Sequence, residues 1–225
     1  MRRSASTVVV LASPAPGEVL AAVGRSMNVV LIRPADPADS AGPGNPRDPA
    51  GNGGGGLDAA AAALKRAGQA TSPYALVAAD PLAAVAASWR AMWDVSRPQG
   101  PAEFEREAAR ALAAWRAGVF ELPDYYLVLA PGTAGAAGAG GAADGSAEAG
   151  GGPDFYLGPL RSARPHRVAV VAATEPAQQA AGVLTALGSL RHGPWWPGLD
   201  RLIDTARTFY PDSLAGGNAA AAGSG

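Results

Sequence analysis

Cysteine is absent from the 225 residues. That one absence excludes disulfides, thiolate nucleophiles and Cys-ligated zinc or iron–sulfur sites. Histidine is reduced to His166 and His192. A Ser-His-acid triad would therefore have two possible bases, and no GxSxG turn presents a serine to either of them. The HExxH pattern of a helical zinc site is missing as well. Lysine is reduced to Lys65 against 17 arginines, and no Gly-Lys pair exists, which removes the Walker phosphate loop. That arginine bias, with the excess of Ala, Gly and Pro, is the composition expected of a high-GC bacterial genome.

Charge of one sign is also scarce, the formal net charge being −1. Such a chain has no overall field to attract nucleic acid or an anionic membrane. No apolar run approaches the roughly 20 residues that span a bilayer. The N-terminus, MRRSASTVVVLASPAP, has the arginine pair and small residues of an export signal, but its apolar run at 7–12 is short for one and reads as a strand. A cytoplasmic location, no membrane partner and no nucleic-acid partner are expected.

Hydrophobic residues make up 48% of the chain, enough for a core. Much of that share is alanine, so Val, Leu, Ile and the few aromatics must supply most of the buried area. Five runs, at 7–12, 28–33, 74–79, 125–130 and 167–173, are continuously apolar rather than alternating. That pattern fits strands covered on both faces, the condition of a parallel sheet. Between and after them lie helical patterns at 17–27, 57–67, 81–93, 102–117, 175–190 and 199–210. In two of these, Leu82, Val85, Trp89 and Met92, then Phe104, Ala108, Leu112 and Trp115, fall on single stripes.

Strand followed by helix, repeated, predicts a three-layer α/β/α domain with a mostly parallel, five-stranded, doubly wound sheet of the Rossmann-like or flavodoxin-like kind. The expected organisation is one domain over 1–214 with a tail at 215–225. Segments 34–56 and 132–152 hold almost nothing to bury and read as disordered insertions.

In open α/β sheets ligands bind outside the carboxyl ends of the strands. There the chain reads SPAPGE, PADP, DPL, PGT and TEPA, in which proline stands close to each following helix and Asp80 or Thr174 precedes it as a cap. GNGGGG at 51–56 matches GxGxxG formally. It lies about 18 residues beyond the nearest strand, inside a glycine-rich linker whose composition produces the match. A second partial match, Gly138, Gly140 and Ala143, has the same weakness. No cofactor and no metal are expected.

If the domain were an enzyme, its site would draw on Ser13, Asp36, Asp80, Thr174 and Glu175, with Thr133 beside them. The bland reading makes Asp80 a cap, Glu175 a favourable first-turn charge and Asp36 part of a linker. Asp80 after the third strand resembles the phosphoacceptor of receiver domains in that single residue. An acidic pair after the first strand and a lysine after the fifth are both missing, so the resemblance implies a degenerate receiver-like regulatory domain.

The other edge of the sheet offers a surface instead. The helix after the fifth strand should run back antiparallel to it, bringing Arg191, His192 and Trp195 beside Arg164, His166 and Arg167. Arg161, Arg164, His166, Arg191 and His192 with Trp195 form the candidate partner-binding patch. The structural alternative makes Gly193 and Pro197 the ends of two helices, with Trp195 and Trp196 as filler at the corner, Trp196 packing on Leu199, Leu202 or Ile203. The leading expectation is a non-catalytic α/β domain that binds a protein partner, through this edge or through the helical hairpin from Trp89 to Trp115. An unrecognised enzyme or small-molecule binder is the alternative.

Overall fold

Side chains alternate across each strand, so a strand that is apolar at every position must be covered twice. The computed structural model of the chain, which describes residues 6–12, 15–34, 54–94, 96–130 and 153–209, shows that arrangement. The strands are β1 Thr7–Leu11, β2 Val29–Ile32, β3 Tyr74–Val77, β4 Tyr125–Ala130 and β5 Val168–Ala172. They form one sheet in the order β2-β3-β1-β4-β5, and every pair is parallel. Val9 and Leu11 of β1 enter one core with Val19 and Val23 of α1 (Gly17–Gly24) and Val183 and Leu187 of α6 (Pro176–Gly188). Val8 and Val10 enter the other core, against α2 (Gly54–Ala67), α3 (Ala83–Met92), α4 (Gly100–Arg116) and α7 (Leu199–Thr208).

The expected three-layer α/β/α architecture is therefore present. Within that class the strand order, 2-3-1-4-5, differs from two familiar doubly wound orders, 3-2-1-4-5-6 and 2-1-3-4-5. Here β1 is central and the chain leaves it first toward one edge, through α1. It then returns and moves to the other edge through helices on the opposite face, as right-handed crossovers require.

Several packings explain local sequence choices. A Cβ at Gly182 would stand 2.6 Å from Val171 Cγ1, so only glycine lets α6 lie this close to β5. A Cβ at Gly100 would stand 2.0 Å from the Ala91 carbonyl oxygen, which fixes the tight crossing of α3 and α4. Trp89 is wholly buried between those layers; its Nε1–H donates to the Ala206 carbonyl at 2.7 Å and its ring meets Phe155 edge-on. The α3–α4 hairpin is thus part of the core at Trp89.

Element ends differ from expectation in three places. The helix expected at 175–190 stops at Gly188, and residues 190–198 form a strap without helix before α7. Gly193 is consequently no helix end; a Cβ there would stand 3.0 Å from His166 Cβ, so its smallness serves close approach of the strap to the entry of β5. Helix α2 begins at Gly54, three residues inside the first low-complexity segment. Most of that segment, all of 132–152 and the tail lie outside the described residues.

The third difference is an element that periodicity did not reveal. A π-helical turn, Tyr156–Leu160, runs into α5 (Arg161–Ala163), and a 3-10 turn, Pro165–Arg167, then feeds β5. Pro159 lies inside the π turn and cannot donate a ladder hydrogen bond. The turn nevertheless buries Phe155, Tyr156 and Leu160 over the β4 side of the sheet. No helix among the described residues is long and apolar enough to cross a membrane.

Candidate functional site

The carboxyl edge brings together a different set of groups from the one expected there. Asp80, three residues beyond β3, is held from three directions. Its Oδ1 accepts the Leu82 N–H at 2.8 Å and the Tyr126 hydroxyl at 3.3 Å. Its Oδ2 accepts the Tyr156 hydroxyl. The two tyrosine rings lie 5.6 Å apart, and Trp196 meets Tyr126 edge-on at 5.7 Å.

Desolvation in this aromatic setting pushes the Asp80 carboxyl up to about 6, against the three hydrogen bonds, which favour its charged form. Burial also pushes both phenols well above their ordinary value, reinforced by the neighbouring carboxylate. At neutral pH the tyrosines are therefore donors and Asp80 their acceptor.

The other candidates at this edge do not join Asp80. Thr174 and Glu175 are exposed and follow β5, three strands from β3, roughly 14 Å at the usual strand spacing. Glu175 makes no side-chain cap to α6. Gln179 of α6 instead reaches back, its Nε2 donating to the Ala173 carbonyl at 3.0 Å. Ser13, Asp36 and Thr133 and the partial match at 138–143 lie outside the described residues, as do 51–53 of the match at 51–56, whose last three glycines open α2. Among the described residues no group of three His, Asp or Glu side chains is disposed to hold a metal ion.

The amino edge is built around Arg167. Its guanidinium is buried and donates to three main-chain carbonyls: Gly193 at 2.8 Å, Pro194 at 3.1 Å and Asp124 at 3.3 Å. The same group lies over two rings, 4.9 Å from the centroid of Tyr125 and 4.9 Å from that of Trp195. Arg164 Nε donates to the Trp195 carbonyl at 2.6 Å, and the Tyr125 hydroxyl donates to the Arg191 carbonyl at 3.0 Å. The strap is thereby tied along its length to the start of β5 and β4.

The two tryptophans divide their roles. Trp196 is buried, donates from Nε1 to the Pro123 carbonyl at 2.7 Å and shares a core with Leu199, Leu202 and Ile203. Trp195 stays 48% exposed although its backbone and one side of its ring are anchored. Arg161, His166, Arg191 and His192 are exposed around it, with Arg164 half-buried. Ion pairs among the described residues involve Arg90, Arg106, Arg110 and Arg207 and none of the patch cations.

The chain matches no protein-family model, no curated protein and no solved structure.

Two groups that shape these sites, Tyr126 and Tyr156, carry no mark in the sequence, and neither does the burial of a third, Arg167. Tyr126 stands inside a run whose apolarity marks only a strand, and nothing local distinguishes it from Tyr125. Tyr156 lies in DFYLGPL, where Gly158 and Pro159 break a helical pattern. Arg167 is the charged start of the apolar run at 167–173. Its burial depends on carbonyls some 26 residues later, which no window covers.

Proposed function

We propose that this chain is a non-catalytic binding domain whose amino edge docks an acidic segment of a protein partner. The observation that carries the proposal is Trp195, exposed yet held in place by Arg167 beneath its ring and Arg164 on its carbonyl. A large aromatic fixed before binding loses little rotamer freedom on association, the property of a hot-spot anchor. Around it Arg161 and Arg191 carry exposed guanidinium groups without ion pairs among the described residues, each able to take a carboxylate bidentately, while the Arg164 guanidinium donates to the Trp195 and Ala163 carbonyls. The net charge of −1 favours an acidic peptide over nucleic acid, whose phosphates demand a broader basic field.

The test is a peptide array probed with the full chain. Acidic peptides bearing an apolar residue should be retained, neutral and basic ones not, and Arg161→Ala with Arg191→Ala should abolish retention without lowering the melting temperature. Retention indifferent to peptide charge, or unchanged in the double variant, contradicts the proposal.

A second reading draws on Asp80. A carboxyl raised to about 6 at the carboxyl edge of a doubly wound sheet is suited to acid–base work. Against it, both carboxyl oxygens are occupied by Leu82, Tyr126 and Tyr156, and the other acidic candidate described there, Glu175, stands three strands away. The same occupancy leaves the receiver-like reading without a free acceptor oxygen.

A further inference from the structure

We infer that the β5 edge of the domain pairs with the β5 edge of a second copy, antiparallel about Val170, to form one continuous ten-stranded sheet. The strand ends the sheet order and pairs only with β4, so its outer main-chain groups face no other strand among the described residues. An open edge is a template for another strand unless charge or proline blunts it. β5, VAVVA, contains neither, and Val170 is 36% exposed on it. The opposite edge is better covered: no side chain of β2 is exposed, and Arg66 donates to the Arg33 carbonyl just beyond its end.

The surface beside β5 is equally uncharged. α6, PAQQAAGVLTALG, holds no ionisable group, although an outward helix face ordinarily carries several, and Leu184 on it is 36% exposed. From Val168 to Leu190 the only charged side chain is Glu175.

Charge at the two ends of the strand selects the occupant. Glu175 stands exposed at the carboxyl end of β5, whereas Arg164 and His166 stand at its amino end. In an antiparallel pair centred on Val170, residues whose numbers sum to 340 face each other. Ala172 then faces Val168, and Thr174 and Glu175, just past the strand, come to the end of the second copy's β5 that Arg164 and His166 precede. Two-fold symmetry makes that contact twice, and such an isologous contact closes at two copies. The docking surface around Trp195 depends on Arg161 and Arg191, so the two surfaces are separable by substitution.

The absence of cysteine provides a clean test, since any introduced thiol is the only one. Val170→Cys should link to itself across the two-fold under oxidised glutathione, opposite Cβ atoms in an antiparallel pair being about 5 Å apart. Met27→Cys, at a 98% exposed position far from β5, controls for random collision and should link much more slowly. In sedimentation the full chain should be a dimer, Val170→Lys a monomer that still binds acidic peptide, and Trp195→Ala a dimer. A chain that stays monomeric to high micromolar concentration overturns the inference, as does a dimer unaffected by Val170→Lys or equal linking at positions 170 and 27. A monomer with slowly exchanging β5 amides also overturns it, because the edge is then covered by the chain itself.

Discussion

The guanidinium carbon of Arg167 lies 4.9 Å from the ring centroid of Trp195, and this contact joins a buried cation to an exposed aromatic. Because Arg167 also serves the Gly193, Pro194 and Asp124 carbonyls, one side chain fixes the strap, the start of β5 and the orientation of the indole.

Replacing Arg167 by Lys keeps a charge but not the planar fork that reaches three carbonyls. Loss of these charge-assisted bonds should lower stability by about 2 kcal/mol. Urea unfolding measures that loss, and it should be accompanied by faster amide exchange across 190–198, while Arg191→Ala leaves both unchanged.

Asp80 sets a pH dependence of defined sign. Its folded pKa, about 6, lies above the ordinary 3.8, so the folded state holds the proton more tightly than the unfolded chain. The stabilisation from that proton is complete below about pH 4 and is lost as pH rises through 6. The loss is at most about 3 kcal/mol for a two-unit shift, and smaller because the residue keeps some exposure. Asp80→Asn retains an acceptor for Leu82 and removes the charge. Its melting temperature relative to the wild type should rise between pH 4 and 6.

Tyr156→Phe removes the hydroxyl bonded to Asp80 Oδ2, an interaction that favours the carboxylate. The carboxyl resonance of Asp80 should then titrate above pH 6 in an NMR titration. Stability at pH 7 should fall by about 1.5–3 kcal/mol, the usual range for a hydrogen bond to a charged acceptor.

Trp89→Phe leaves the Ala206 carbonyl without its donor and opens space between α3, α7 and the π turn. A loss of about 2–4 kcal/mol is expected from the combined cavity and orphaned acceptor, read by urea unfolding.

The layer architecture was legible in the sequence because it follows from period and composition. Five unbroken apolar runs can be buried only in a doubly covered parallel sheet, and the helical stripes through Val85 and Trp89, and through Phe104 and Ala108, mark their own buried faces. The convergence of Arg164, His166 and Trp195 was legible too, since a crossover helix must return to the start of its strand. The strand order was not, because nothing in β2 or β3 states which of them neighbours β1. The π turn escaped because Pro159 and Gly158 mimic a break, and the tyrosine pair around Asp80 because Tyr156 lies 76 residues away along the chain.

The central claim is that Trp195, held by Arg167, anchors an acidic partner segment, and calorimetric titration tests it most directly. A peptide of Asp and Glu around one leucine, titrated into the full chain, should bind with an affinity that falls as salt rises. Trp195→Ala should weaken it by about 30-fold or more, the loss of roughly 2 kcal/mol expected of a hot spot, while the chain stays folded by circular dichroism. Equal affinity for the wild type and Trp195→Ala, or no heat of binding in either, would contradict the account.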